Sequence, residues 1–369
     1  MNSKAFKIIK VTFLLIVGLY FLFLGLFEAK GFLIPLSLGI FLSLVMLPIA
    51  TWFERKGLSR GFAVLLADLI ILLFCAVVMF IVSLQGYQIA NDWPEYQKKL
   101  EPRYQKTMQY ISQKTGVTEE EIQIKIKESI EKAGQSSGNQ PGIASQVSSF
   151  IGNFLLIFVY IFFLMYYRRK IKNSILGFVP QHKRDKAEKI INQSSRVSQQ
   201  YLFGRFLLIL ILAVLYSIGL LILGVKQAIL ISLIAALLSL IPYIGNIIGY
   251  GIALLMGTLS GNGIGIIIGI SAVFAITQFI ESYILEPFVV GEKVDLNPTL
   301  TIIGVVLFGM VWGLAGMFLA IPFLGIIKVI SDNIPVLNPL GYTLGTEDVS
   351  TESGWVKKLK DRFSRKKRS

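Results

Sequence analysis

Residues 228–256 read AILISLIAALLSLIPYIGNIIGYGIALLM, 29 positions without a single charged side chain. About 20 apolar residues in a helix cross a ~30 Å hydrocarbon layer, so this run is longer than one straight crossing needs. It is also interrupted. Pro242 removes a backbone donor and disfavours helix at the residue before it, and Tyr243, Gly245 and Asn246 follow closely. A broken helix at membrane depth persists only where protein or a water-filled cavity satisfies the freed backbone groups. The stretch therefore predicts a membrane helix broken near its centre. The break is either part of a substrate site, as in transporters, or a proline kink filled by neighbouring side chains.

Working outward, similar apolar runs occur at 9–27, 32–50, 61–84, 150–167, 205–223, 264–282 and 299–327. Together they predict eight transmembrane helices and an all-α, polytopic integral membrane protein. Composition agrees, because 54% of the 369 residues are apolar and only 16% charged, where soluble domains carry about 25%. The first run, preceded by Lys4, Lys7 and Lys10, reads as an uncleaved span. It lacks a small-residue cleavage site at Phe27-Glu28-Ala29.

The net charge of +14 is concentrated. Trp355–Ser369 holds eight Lys/Arg and one Asp, and Arg168–Arg205 holds ten Lys/Arg against Asp185 and Glu188. The N-terminal lysines, the 51–60 loop, the 168–204 linker and the tail are all basic. They follow zero, two, four and eight crossings, so the positive-inside rule predicts both termini in the cytoplasm. The same parity puts Glu28–Lys30 and the acidic 286–295 segment outside. In the tail, Trp355, Leu359 and Phe363 sit four apart among basic residues, the pattern of a helix lying on anionic lipid. Lipid is the expected partner there, and nucleic acid is not.

The chain thus divides into N-terminal spans (1–84), a polar external segment (85–149), C-terminal spans (150–340) with their basic linker (168–204), and a basic tail (341–369). In the external segment Tyr96, Leu100, Tyr104, Met108 and Ile111 recur at helical spacing. Thr118-x-x-Glu121 reads as a capping box opening a second helix with Ile122, Ile126 and Ile130 on one stripe, so a small helical hairpin is expected.

Several features exceed what spanning requires. Gln278 and Glu281 are three apart and share a helical face. Ionisable groups within spans are functional-site candidates because burying them unpaired is costly, which singles out Glu281, then Asp68, for proton or ion coupling. Glu286-Pro287 and Asn297-Pro298 bracket a segment that is either an exposed turn or re-entrant. Gly245-x₃-Gly249, Gly261-x₃-Gly265-x₃-Gly269 and Gly309-x₃-Gly313 permit close helix approach. Ile241-Pro242-Tyr243-Ile244-Gly245 recurs in type as Ile321-Pro322-Phe323-Leu324-Gly325. Arg205 stands where the linker enters span five, placed to pair with a buried acid.

Tyr201…Gly204-Arg205, Gly224-Val225, Ile241–Gly245, Gln278…Glu281, Pro287, Gly291, Asn297-Pro298 and Gly316…Pro322, in that order, resemble the autoinducer-2 exporter family of bacterial membrane proteins. Pro35 and Pro48 and the layout of the N-terminal half are similar too. Two departures stand out: Phe203-Gly204-Arg205 replaces an Arg-Gly-Gln pattern, and Asn297-Pro298 replaces His-Pro. The resemblance implies eight helices, a homo-oligomer and export of small solutes, with some members acting as sodium(lithium)/proton antiporters.

The leading expectation is a secondary transporter and not an enzyme. It would export a small polar organic solute such as an autoinducer-2-like signal, bound or gated at Pro242, Tyr243, Gly245, Asn246, Gln278, Glu281, Glu286, Pro287, Asn297 and Pro298. Sodium(lithium)/proton antiport is the alternative. Both acids are drawn near span ends, which favours the organic solute. Gly204, Arg205, Gly249 and Gly291 are the expected conformational positions, within a moving region at 228–298. A non-transporting envelope scaffold is the rival from another class. No Gly-x₄-Gly-Lys-Ser/Thr motif exists for ATP. With one cysteine, Cys75, and one histidine, His182, neither a metal site nor a cofactor is expected. An intramembrane serine protease would need a histidine within a span, and an aspartyl protease a second intramembrane aspartate beside Asp68.

Overall fold

The computed structural model describes residues 3–115, 124, 143–240, 244–259, 263–290 and 295–346. Among them there are helices and turns and no strand. Pro242, Tyr243, Gly291, the expected second external helix and the basic tail lie outside the described residues, as do the side chains of Leu100, Tyr104, Met108 and Ile111.

The helices are α1 (Ser3–Glu28), α2 (Lys30–Arg55), α3 (Arg60–Thr115), α4 (Ile143–Tyr166), α5 (Arg168–Gly177), α6 (Arg184–Ile222), α7 (Ala228–Leu238), α8 (Ile244–Leu259) and α9 (Gly263–Ile280). After a π-helical stretch, Glu281–Val290, come α10 (Pro298–Asn333) and α11 (Asn338–Leu344). Six helices are long and apolar enough to cross a membrane, with shorter apolar helices at Gly152–Tyr166, Ala228–Leu238 and Gly245–Leu259. The chain is thus a polytopic, all-α membrane protein. It clusters into two compact units, one of residues 1–68, 159–208 and 285–369, the other of residues 69–158 and 209–284. The expected moving region, 228–298, is therefore divided between them at 284/285.

Four differences from the sequence expectation matter. First, α3 runs without a break through position 84, so the near half of the external segment continues span three. Gly86 and Pro94 both lie within it and neither ends it. Likewise the basic linker is helical and α6 carries it directly into span five.

Second, 228–256 is not one kinked crossing, because α7 and α8 double back on each other. A Cβ on Gly249 would stand 2.6 Å from Ala235 Cβ, and one on Gly245 would strike the Leu238 carbonyl. In a straight helix those pairs would lie far apart. The two glycines let the arms touch, so Gly245 and Gly249 sit as contact residues in α-helix. At 11 residues, α7 is only ~17 Å long, short of a crossing.

Third, α10 also reverses. Gly313 has φ 60°, ψ −141°, a conformation open essentially to glycine alone. Beyond it Gly304 packs on Leu324 and Gly309 on Met317, while the Phe308 and Phe323 rings stack at 5.5 Å. Phe41 of α2 meets Phe323 edge-on at 5.0 Å, and Trp312, beside the turn, donates from Nε1 to the Leu26 carbonyl at 2.9 Å.

Fourth, the segment ahead of α10 lies close to the basic linker. Within the first unit, the Asn297 amide donates to the Leu344 carbonyl at 2.7 Å and Asn333 donates to Gln193 of the basic linker at 3.4 Å. Residues 295–297 accordingly stand at the linker's end of the unit.

Candidate functional site

The polar cluster of the second unit lies where α8 begins and α9 ends. Asn246 projects from the first turn of α8, just past the break. Gln278, Glu281 and Ser282, at i, i+3 and i+4, share one face of the opposing helix. The Asn246 Nδ2 donates to Gln278 Oε1 and, at 3.2 Å, to Glu281 Oε2. Gln278 Nε2 donates to Ser282 Oγ at 3.0 Å. Glu281 is only 4% exposed. Asn246 Oδ1 is buried without a hydrogen-bond partner, and so is the Tyr216 hydroxyl of α6.

Packing holds this arrangement in place. Tyr216 is fully buried and stacks on Phe274 with ring centroids 4.5 Å apart. One turn deeper between α8 and α9, Tyr250 and Ser271 share a hydroxyl hydrogen bond of 2.7 Å. The helix widens into π geometry at Glu281, with Pro287 inside the stretch. Proline lacks the N–H that an α ladder needs, and π segments recur at functional sites. The helix continues nine residues past Glu281, to Val290.

Chemically, the cluster offers amide and hydroxyl donors, two acceptor oxygens without partners, and one buried carboxylate. Such a set suits a small polyhydroxylated solute or a hard monovalent cation. Protonation would turn the carboxylate from acceptor to donor and cost Asn246 its ionic acceptor.

The other expected residues fall elsewhere. Glu286 belongs to the first unit, where Arg205, buried at 7% exposure, reaches it at 3.9 Å. That is the acid Arg205 meets, with buried Gly204 beside it. Asp68, also of the first unit, has a buried Oδ1 without a hydrogen-bond partner. Asn297 and Pro298 form a helix start: Asn297 Oδ1 accepts the Thr299 amide at 2.9 Å, and Pro298 occupies the first helical position.

Sequence reasoning missed two groups. Tyr216 is an isolated tyrosine in an apolar run. Lys328 stood one residue beyond the drawn end of span eight, yet a lysine there with an acid at i+4 was a readable signal. Lys328 Nζ lies 2.7 Å from Asp332 and 3.5 Å from Asp295, whose carboxylate also accepts from the Thr346 hydroxyl and, at 3.1 Å, its amide. The Thr346 hydroxyl holds the Asp295 carboxyl below its ordinary range. Partial burial opposes that, while the Thr346 amide and the Lys328 charge reinforce it.

Comparison with known proteins adds the following. A family model described as AI-2E family transporter matches residues 11–335. YrrI of Bacillus subtilis (strain 168), named as a candidate transport protein, is 27% identical over 311 residues, 81% of this chain and 86% of its own. YhhT of Escherichia coli (strain K12), named likewise, is 21% identical over 326 residues, 87% of this chain and 90% of its own. PerM of the same strain, named as a candidate permease, is 41% identical over 59 residues, 16% and 17% of the two chains.

Proposed function

The chain belongs to the AI-2E family of membrane transporters, and from that premise we propose that it is a proton-coupled secondary transporter exporting a small polar organic solute through the site at Asn246, Gln278 and Glu281. The observation carrying this reading is the hydrogen bond from Asn246 to buried Glu281, which ties the re-entrant α7–α8 pair to an ionisable group. A buried carboxylate inside a span has a functional role by default.

The cycle follows from that bond. With Glu281 ionised, Asn246 is held by a charge-assisted hydrogen bond, and the start of α8 is fixed against α9. Protonation weakens the bond and frees the Asn246 and Gln278 amides for the hydroxyls of a solute. Proton entry in one direction then accompanies solute exit in the other. Both termini lie on the cytoplasmic side in this scheme, as the basic segments favour, and the protein works as a homo-oligomer.

A second reading, sodium or lithium exchange for protons, has its own support. Carboxylate, amide and hydroxyl oxygens around Glu281 are the donor type that hard cations take, and the helix continues past the acid.

One experiment separates them. Proteoliposomes carrying a pH-sensitive dye are challenged first with sodium or lithium, then with a panel of small polyhydroxylated solutes. A saturable pH change with solutes alone, abolished by Glu281→Gln, supports export; a response to the cations assigns antiport. Wild-type flux in Glu281→Gln under both challenges would remove the site from either scheme.

A further inference from the structure

Within the first unit, a cavity of about 760 Å³ opens between the start of α3 and the α4–α5 junction. Its lining has two characters. Phe62, Leu65, Phe162 and Tyr166 make an apolar floor, with the Phe162 and Tyr166 rings stacked 6.0 Å apart. Arg60 and Lys170 make a cationic rim.

The charge at that rim is only partly met. Glu54 receives Arg168 Nη2 at 2.6 Å and has Arg60 Nε at 3.9 Å, so one carboxylate faces Arg60, Arg168 and Arg169, and Lys170 adds a further charge at the rim. Arg60 Nε and Arg168 Nη1 are buried and make no hydrogen bond. Buried guanidinium donors without acceptors are costly, and two beside one cavity mark a place for an oxygen-rich anion.

The surroundings say where that anion comes from. Membrane helix α4 ends at Tyr166, and the short helix α5 follows at once. Along it Ile171, Ile175 and Phe178 recur at i, i+4 and i+7 and are 39%, 48% and 92% exposed. Arg168, Arg169 and Lys170 come just before this stripe and Lys172 lies within it. An exposed apolar stripe on a cationic helix at a span's end lies in the headgroup layer. The cavity thus sits where hydrocarbon meets phosphate. A soluble anion would leave its aromatic floor uncovered; a lipid covers both parts.

We propose that this cavity is a binding site for one anionic phospholipid of the leaflet facing the basic segments. Its phosphate lies between Arg60 and Lys170, and an acyl chain runs over Phe62, Leu65 and Tyr166. None of its lining residues belongs to the basic tail or to the Glu281 cluster.

The test is native mass spectrometry of the full-length protein in mild detergent, titrated with phosphatidylglycerol or phosphatidylcholine. Wild type should retain one phosphatidylglycerol in preference to phosphatidylcholine. The double variant Arg60→Gln/Lys170→Gln should weaken retention by roughly ten- to thirtyfold, the factor expected from two cations near a membrane surface. Leu65→Trp, which fills the floor and leaves every charge in place, should also shed the lipid, and it decides the matter if the double variant does not fold. Lys183→Gln/Lys186→Gln, on exposed positions outside the cavity, should retain it. Retention by a folded cavity variant, equal loss in the exposed-lysine variant, or no preference for phosphatidylglycerol in wild type would each overturn the proposal.

Discussion

Gly249 and Gly251 stand two residues apart on α8, and alanine at each should act with opposite sign. At Gly249 a Cβ would lie 2.6 Å from Ala235 Cβ and 2.9 Å from its Cα, whereas at Gly251 nothing lies within 4 Å. Carbon atoms settle at about 3.5–4.0 Å. Alanine at 249 therefore pushes α8 off α7 by roughly 1 Å, and a backbone Cα cannot swing aside. Both substitutions gain the same helix propensity, about 1 kcal/mol, so that contribution cancels between them. What remains is overpacking, about 1–3 kcal/mol. Thermal scans of the purified protein should place Gly251→Ala at or above wild type and Gly249→Ala below it, a few degrees apart. The displacement also has a functional reading. Asn246 lies one turn before Gly249, and a ~1 Å shift takes its 3.2 Å contact with Glu281 past hydrogen-bonding range, so flux in Gly249→Ala should fall while Gly251→Ala transports normally. Equal melting midpoints for the two variants would refute the α7–α8 reversal itself.

Gly313→Ala forces a side chain into φ 60°, ψ −141° and should destabilise by about 1–3 kcal/mol; a wild-type melting point would mean α10 does not turn there. Asn297→Ala removes the acceptor for the Thr299 amide and should cost about 1 kcal/mol without changing the pH profile of flux, measured in the dye assay. Asp295 has a depressed folded-state pKa, so its contribution is complete above its unfolded value of about 3.9 and disappears as pH falls through the folded one. Hydrogen exchange at 338–346, corrected for intrinsic rates, should stay level from about pH 5 to 8 and rise below about pH 4, while Asp295→Asn raises it at neutral pH. In a Cys75→Ser background, Leu296→Cys and Lys183→Cys should react with an impermeant maleimide from the same side of the membrane, and labelling from opposite sides would support the external placement of 286–295.

Membrane embedding and the helical class were legible from uncharged runs of about 20 residues, and the break at 242–246 from proline chemistry. Gln278 and Glu281 were legible as partners of one face. The path after the break was not. Proline says that a helix ends, and says nothing about whether the chain continues or returns. The return is set by Ala235, Leu238, Gly245 and Gly249 touching across the turn, and small residues four apart are common in any membrane helix. Gly313 gave still less notice, since no proline marks it. Asn246 joined Glu281 through tertiary packing over 35 positions, which no local pattern encodes.

The unbroken course of α3 has a mechanical consequence. Its 56 residues make a rod about 84 Å long. Part-way along, Gln85 Oε1 accepts the Leu230 amide at 3.1 Å, Tyr96 donates to Gln227 at 3.0 Å, and Glu95 meets Lys226 at 3.7 Å. These grips engage the turn leading into α7, where Gln227 holds a left-handed φ of 56°. They are indexed by rotation, for each residue turns the helix by about 100°. A torque on the far end of the rod thus reaches that turn without slack. One residue inserted between Gln85 and Asp92 would swing Tyr96 and Glu95 away from their partners while deleting nothing, and four inserted residues would nearly restore the angle. The entrance to the re-entrant pair is geared to the helix beyond the membrane by angular phase.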